Sequence, residues 1–96
     1  MKLIAIPYFV YVLLSLKDRR LYTGFTTDLD RRMKEHNEGT TKSTKNRRPF
    51  VLLYYEVYRT EQEAKKREKF LKGGNGRAAL KQQLNLTLKN FAYKNL

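Results

Sequence analysis

The sequence predicts an α+β domain in which a small, three-stranded, mainly antiparallel sheet is flanked by helices, in the order β-β-α-β-α-α. Three observations support this prediction. Two strand-like segments near the N-terminus are separated by a short polar break, a third strand-like segment lies in mid-chain, and capping patterns precede the amphipathic segments. With 96 residues, 41% of them hydrophobic, the chain can build one domain with a modest core.

A β-hairpin is predicted first. Residues 8–16 are almost all apolar and rich in Val, Leu and Tyr, which favours a central strand covered on both faces. Residues 17–20 form a polar break before a second short strand over 21–25. A connecting loop with an even number of residues places Tyr11, Tyr22 and Gly24 on one face of the sheet. With a two-residue loop, Gly24 lies directly opposite Tyr11 and leaves space beside the phenol.

The next elements follow from caps and periodicity. Thr27 or Asp28 can cap a first helix, which is expected to end near Gly39. The polar, basic segment 40–49 is predicted to be a long loop. Residues 50–58 form the third strand, in which even-numbered and odd-numbered residues are expected to alternate between the two faces of the sheet.

A second capping pattern opens the C-terminal half of the chain. Thr60-Glu61-Gln62-Glu63 is a capping box for a helix that runs to about Lys72. The glycine-rich segment 73–76 breaks this helix, and residues 77–84 form a short third one. The tail 85–96 is apolar without a clear period, so we assign no element to it. The predicted domain therefore spans residues 1–84.

Composition limits the classes of partner and cofactor. A formal net charge of +12 predicts binding to polyanions, with nucleic acid the first candidate and an anionic membrane surface the second. The absence of cysteine excludes disulfides, thiolate nucleophiles and zinc–thiolate sites, and a single histidine excludes a His-rich metal cluster. A metal, if used, would be a hard ion held by carboxylate and water, such as Mg²⁺ or Mn²⁺.

The apolar N-terminus superficially resembles a signal peptide. The run that ends at Leu16 is shorter than the roughly 18 residues that span a bilayer, and Pro7 interrupts it. No small-residue cleavage site follows it. We therefore expect a buried strand, a cytoplasmic protein and no membrane association.

Candidate chemical groups come from three places. The paired tyrosines Tyr11 and Tyr22 could form a site, although tyrosine is also simply common in strands. Arg32 and His36, four residues apart, project from one side of the first helix, where they could equally be surface cations. Glu68 occupies an apolar stripe with Ala64 and Leu71, so it needs a partner such as an arginine or a metal ion. A purely structural ion pair with Arg67 or Arg32 is the alternative for Glu68.

Together these segments resemble the GIY-YIG nucleases. Phe9-Val10-Tyr11 and Tyr22-Thr23-Gly24 are similar to the paired tyrosine motifs of that family, and residues 26–36 look like its helix with a catalytic arginine and a following histidine. Residues 67–72 look like the helix that bears its metal-binding glutamate. Phe9, Val10 and Thr23 depart from the family's motif letters, whereas both tyrosines and the second glycine are retained. The resemblance spans about residues 8–84 and implies the GIY-YIG fold.

The resemblance implies hydrolysis of DNA phosphodiester bonds with one divalent metal ion, Mg²⁺ or Mn²⁺, held by Glu68. Arg32 would stabilise charge on the phosphate, and Tyr11 would activate the attacking water with help from Tyr22 and His36. Whether Tyr11 or His36 is the general base stays open. Basic and amide side chains would hold the DNA: Lys42, Lys45, Arg47, Arg48, Lys69, Lys72 and Asn75.

The biological setting is less defined. We expect a role in DNA repair or recombination, on duplex, branched or single-stranded DNA. Ninety-six residues leave no room for a separate specificity domain, so a partner protein could supply targeting. The alternative function is a non-catalytic nucleic-acid-binding module with the same fold. A complete set of active-site residues argues against it, because binding alone requires neither Glu68 nor paired tyrosines.

Overall fold

The computed structural model describes residues 6–94, with side chains described for 6–91. The first residues of the apolar N-terminal run, 1–5, lie outside the described part. Within it, three strands and four α-helices follow one another along the chain: β1 (Tyr8–Ser15), β2 (Leu21–Thr26), α1 (Leu29–Glu38), β3 (Phe50–Tyr58), α2 (Glu61–Lys72), α3 (Gly74–Gln83) and α4 (Asn85–Lys94). The predicted α+β class is confirmed. None of the helices described is long and apolar enough to span a bilayer.

The sheet is antiparallel, and β1 is its central strand, with the order β2-β1-β3. Its middle residues are buried from both sides, as expected for an apolar central strand. On one face Val10 and Val12 pack with buried side chains of α2 and α3. On the other face Tyr11 and Leu13 pack with Phe50 and with Leu29 and Met33 of α1. This second face carries the candidate site.

The caps predicted from sequence are present. Asp28, rather than Thr27, caps α1, because its carboxylate accepts the backbone N–H of Arg31 at 3.1 Å. Gly39 ends α1 in the left-handed conformation. Thr60 caps α2, because its hydroxyl oxygen accepts the N–H of Glu63 at 3.2 Å, which is the first bond of the predicted capping box. The Glu63 carboxylate accepts the Thr60 hydroxyl at 2.6 Å.

One strand departs from the predicted alternation. The pairing of β1 with β3 shifts by one residue between Val12 and Leu13, so Val12 is opposite Tyr54 whereas Leu13 is opposite Leu52. The extra residue, Leu53, is a β-bulge. As a result Phe50 and Leu52 lie on the Tyr11 face, but Tyr54 lies on the opposite face. Leu53 and Tyr54 lie on the same face, so the predicted strict alternation over residues 50–58 is wrong from Tyr54 onward.

Other differences concern helix ends and the segment before β3. α3 begins at Gly74, three residues earlier than predicted, so Gly73 alone separates α2 from α3. Gly76 fits there because it packs against the backbone of Phe70 and Leu71, where a Cβ atom would clash. A short 3-10 turn over Lys45–Arg47 interrupts the predicted long loop. The tail forms α4, whose Leu88 packs against the core.

Candidate active site

The hairpin register places Tyr11 against Gly24. The turn is four residues long, closed by the Ser15 N–H to the Arg20 carbonyl at 3.0 Å, and Tyr11 pairs directly with Gly24. The Tyr11 side chain is fully buried and lies across β2 at that point, since a Cβ atom on Gly24 would overlap the phenol ring and its hydroxyl. The Tyr11 phenol therefore occupies the space that a side chain at position 24 would fill.

Two groups from α1 hold the Tyr11 hydroxyl. His36 Nε2 lies 2.8 Å from it, and Arg32 donates its Nε–H to the same oxygen at 3.3 Å. On the far side of the imidazole, His36 Nδ1 lies 2.8 Å from Thr44 Oγ1. Because Arg32 and His36 are one helical turn apart, their side chains lie on the same side of α1 and both contact the Tyr11 hydroxyl oxygen.

The hydrogen-bond donors can be assigned along this chain. The Thr44 hydroxyl donates to the Thr41 carbonyl at 3.5 Å, so the Thr44 oxygen accepts the hydrogen bond from His36 Nδ1–H. The imidazole then carries its hydrogen on Nδ1 and leaves Nε2 free to accept. Tyr11 accordingly donates to His36 and accepts from Arg32. Thr44 is fully buried, and sequence reasoning missed it, because nothing in a polar loop marks one threonine among several.

Burial sets the protonation states of the three groups. Burial raises the pKa of Tyr11 to about 12, against the opposing effect of the Arg32 hydrogen bond. Burial, followed by the positive charge of Arg32, lowers the pKa of His36 to about 4. The hydrogen bond to Tyr11 raises the pKa of Arg32. At neutral pH the site therefore combines a neutral phenol, a neutral imidazole and a fixed positive charge.

Tyr22 completes an aromatic cluster on this face. Its ring centroid lies 5.2 Å from that of His36, 6.4 Å from Tyr11 and 6.4 Å from Phe50. The edge-to-face arrangement with His36, at 65°, is a favourable geometry for aromatic rings. The structure thus brings four predicted site residues together: Tyr11, Tyr22, Arg32 and His36.

Glu68 lies on α2 between the buried residues Ala64 and Leu71. Its side chain is 21% exposed and forms an ion pair with Lys72 at 2.9 Å. The charge of Glu68 contributes to raising the pKa of Tyr11, so the carboxylate is within electrostatic reach of the phenol. Glu68 is the fifth predicted residue near the site, reached from a different helix.

The alternative considered for Glu68, a structural ion pair with Arg67 or Arg32, is not what the structure shows, since Glu68 pairs with Lys72 and Arg32 pairs with Glu35. Arg67 instead binds both carboxylate oxygens of Glu56 with N–O distances of 3.0–3.3 Å. The hydroxyls of Tyr54 and Tyr58 also donate to Glu56. Because the β-bulge turns Glu56 toward the α2 side of the sheet, Arg67 has a closer carboxylate than Glu68. Sequence reasoning did not identify this cluster, although a lone acid in an apolar strand was a signal for it.

The carboxylate of Glu68 is the group near Tyr11 that could bind a metal ion. Among the described residues there is no group of three or more His, Asp or Glu side chains that could enclose a metal ion. A single carboxylate such as Glu68 fits Mg²⁺ or Mn²⁺, which keep several waters and bind substrate phosphates. The neighbouring Lys72 is about half exposed, so its pairing with Glu68 is weak and easily exchanged.

The predicted DNA-holding residues lie on three parts of the chain. Lys42, Lys45 and Arg48 are exposed in the segment that follows α1, and Lys69 and Asn75 are exposed on α2 and α3. Arg47 is engaged in an ion pair with Asp18 at 2.6 Å, which ties that segment to the hairpin turn. Contact of these residues with DNA stays a prediction.

Comparison with known proteins defines the class to which this fold and site belong. A family model described as the GIY-YIG catalytic domain matches residues 7–83. The chain therefore belongs to the GIY-YIG family, a nuclease-type family, and the resemblance inferred from sequence is confirmed.

The relatives within that family are small proteins. The chain is similar to the UPF0213 protein SH2523 of Staphylococcus haemolyticus, with 45% identity over 62 residues that cover 64% of this chain and 74% of the relative. It is also similar to the UPF0213 protein SAG0778 of Streptococcus agalactiae, with 42% identity covering 81% and 89% of the two chains. A solution NMR structure of the UPF0213 protein BH0048 from Bacillus halodurans is 35% identical, covers 93% of this chain and 92% of that one, and has a TM-score of 0.47.

Proposed function

We propose that this protein is a divalent-metal-dependent endonuclease that hydrolyses phosphodiester bonds in DNA. The observation that carries the proposal is the Tyr11 hydroxyl, held between the guanidinium of Arg32 and the unprotonated Nε2 of His36. Binding of nucleic acid alone does not require a buried phenol aligned with a proton acceptor. Such an alignment is what activation of a water molecule requires.

Arg32 would bind the phosphate. A guanidinium has five N–H donors, and Tyr11 and Glu35 accept from two of its nitrogens, at 3.3 and 3.1 Å. The remaining donors, on a side chain that is 32% exposed, are available to phosphate oxygens. Charge that develops on the phosphate in the transition state would be stabilised there.

Tyr11 and His36 would act as a pair in moving the proton. A phenol with a pKa of about 12 is a poor base alone, but it can accept a proton from water as its own proton passes to His36 Nε2. Phosphate bound at Arg32 would offset the positive charge that helps to lower the pKa of His36. Substrate binding would therefore make the imidazole a better proton acceptor, with Thr44 holding its Nδ1–H.

Glu68 would hold Mg²⁺ or Mn²⁺, after exchanging its ion pair with Lys72. The metal would supply Lewis-acid stabilisation of negative charge on the phosphate and on the departing 3′ oxygen. In this proposal the nuclease domain spans residues 1–84, and the tail 85–96 has no assigned role. A cytoplasmic location and a role in DNA repair or recombination complete the proposal, with a partner protein supplying targeting.

The test is a cleavage assay on supercoiled plasmid and on duplex, branched and single-stranded oligonucleotides, with Mg²⁺, Mn²⁺ or EDTA. Glu68→Gln is expected to abolish cleavage and to retain DNA binding in a gel-shift assay. Arg32→Ala should lower the rate by about 10²–10³-fold, as loss of a transition-state donor does. Glu61→Gln is the matched control, because Glu61 forms the same i,i+4 ion pair on α2, with Lys65 at 2.8 Å.

Two outcomes would contradict the proposal. If the wild-type protein cleaves none of these substrates with either metal, the enzyme assignment fails and a binding module remains. If Glu61→Gln and Glu68→Gln lower the cleavage rate equally, the loss reflects the surface charge of α2, and Glu68 has no special role.

A further inference from the structure

An exposed apolar surface adjoins the candidate active site. It consists of Phe9, Tyr55 and Val57, and we call it the sheet-end face. Tyr55 is 51% exposed and Val57 is 55% exposed, while Phe9 is half-buried. Large apolar side chains that are exposed together, rather than singly, commonly mark a binding surface.

The strand register places this face beside Tyr11. Tyr55 pairs directly with Tyr11, and Val57 pairs directly with Phe9. Residues opposite each other in antiparallel strands share a face, with Cα atoms about 4.5–5.5 Å apart. The rings of Phe9 and Tyr55 contact each other edge to face, with centroids 5.8 Å apart. The sheet-end face thus lies on the same side of the sheet as the Tyr11 side chain.

Helix α1 covers only part of this side of the sheet. Leu29 and Met33 pack with Tyr11, Leu13 and the neighbouring side chains of the aromatic cluster. The sheet-end face lies beyond them toward the start of β1 and the end of β3. These α1 side chains pack on the aromatic cluster, and Tyr55 and Val57 stay more than half exposed.

The size and charge of the face indicate what could occupy it. Stable association of two protein copies buries about 800 Å² on each partner, far more than three side chains provide. Each copy also carries a net charge of +12, which opposes self-association. A nucleobase fits better, because aromatic side chains beside a cationic phosphate site are the usual means of binding unpaired strands.

We propose that Tyr55 and Phe9, supported by Val57, stack with an unpaired base of a DNA strand whose adjoining phosphate lies at Arg32. This inference rests on the proposed function, since it places the scissile strand at the Tyr11 site. A base within an intact duplex has both faces covered by its neighbours. The substrate must therefore be single-stranded at the cleavage point, or present a base turned out of the helix.

The chain offers a direct reporter for this stacking, because it contains no tryptophan. Tyr55→Trp introduces a single one at the centre of the sheet-end face. With EDTA present to prevent cleavage, single-stranded oligothymidylate is expected to quench its fluorescence strongly, and a blunt duplex of equal length is expected to quench it weakly. Phe70→Trp is the matched control, since Phe70 is 46% exposed on α2, outside the sheet-end face.

Affinity provides a second readout. Tyr55→Ala should weaken binding of the single strand about five- to a hundredfold, as removal of one stacking side chain does, and leave duplex binding within about twofold. Tyr55→Phe should restore the affinity, because the ring rather than the hydroxyl is required. Thermal unfolding of each variant verifies that the fold is intact.

Several results would overturn the inference. One is equal loss of single-strand and duplex affinity in Tyr55→Ala, and another is equal quenching at positions 55 and 70. Sedimentation showing that Tyr55→Ala dissociates a dimer, with unchanged DNA binding, would assign the face to a second copy instead. If wild type cleaves but Tyr55→Ala leaves the strand preference unchanged, the inference fails alone. If quenching occurs without any cleavage by wild type, the proposed function fails alone.

Discussion

Lowering the pH should destabilise the protein through its single histidine. The His36 side chain is fully buried, and its two ring nitrogens lie 2.8 Å from the hydroxyls of Tyr11 and Thr44. Burial and the charge of Arg32 lower its pKa from 6.5 to about 4. The unfolded chain therefore binds a proton near pH 6.5, whereas the folded chain does not until about pH 4. Stability must fall as the pH drops through this interval, and the loss is complete below it.

The magnitude follows from the difference between the two pKa values. From 6.5 to about 4 is about 2.5 pH units, which at 1.36 kcal/mol per unit gives a total loss of about 3 kcal/mol. About 2 kcal/mol of this is lost by pH 4.5. Small domains are stable by about 5–15 kcal/mol, so the loss is readily measured.

Two paired carboxylates, those of Asp18 and Glu56, contribute mainly below the pH range of this loss. The hydrogen bond from Arg47 holds the pKa of Asp18 at about 2, well below it. Burial alone would raise the pKa of Glu56, but its hydrogen bonds with Arg67 and two tyrosines outweigh burial and lower it below the usual range. Their stabilising effect is lost as the pH falls below their ordinary pKa values, 3.8 for Asp18 and 4.5 for Glu56, so most of the loss lies below pH 4.5, where the assay ends.

The assay is urea unfolding of wild type and His36→Gln at several pH values between about 7 and 4.5. Wild type should lose about 2 kcal/mol across this range, whereas His36→Gln should be nearly independent of pH. An NMR titration of the single imidazole gives the folded-state pKa directly. A measured pKa of 6 or above, or equal pH dependence in both proteins, would refute the reasoning.

Two substitutions test the packing around the phenol. Gly24→Ala should destabilise the fold by about 1–3 kcal/mol, because the new Cβ overlaps the Tyr11 ring, and it should slow cleavage because the ring must move from its partners. An unchanged melting temperature and cleavage rate would contradict this. Thr44→Val leaves the buried Nδ1–H of His36 without an acceptor, which should cost about 1–3 kcal/mol in urea unfolding at neutral pH. Thr44→Ser should recover most of that loss, and a fully stable Thr44→Val variant would show that the hydrogen bond is unimportant.

Much of the site could be predicted from the sequence because local rules determine it. An even-numbered hairpin loop was enough to place Tyr11 and Gly24 on one face of the sheet. They are directly opposite, as predicted for a two-residue loop, because the four-residue turn has the same centre as a two-residue one. The spacing of Arg32 and His36 required only that α1 be a helix. Both N-caps are short-range patterns, so Asp28 and Thr60 cap α1 and α2 where a cap was expected.

The rest depended on longer-range geometry. Thr44 meets His36 only because the segment after α1 folds back against it, and no periodicity encodes that path. Arg67 pairs with Glu56, which is distant in sequence on β3, and Glu68 pairs with Lys72 on its own helix. Predicting these pairs required knowing how α2 packs on the sheet. The tail formed α4 because Leu88 could reach the core, although its apolar pattern was irregular.

The β-bulge at Leu53 has a genetic consequence. An in-frame loss of the Leu53 codon would remove the extra residue and let β3 pair regularly with β1, with Leu52 and Tyr54 still opposite Leu13 and Val12. Tyr55 and Val57 would stay on the Tyr11 face, and Glu56 would stay on the opposite face. A codon lost or gained at a regularly paired position further along β3 would instead exchange the faces of the residues that follow it, because side chains in a strand alternate. The bulge is therefore the point in β3 at which relatives are expected to differ by one residue in length and keep the same chemistry at the edge of the site.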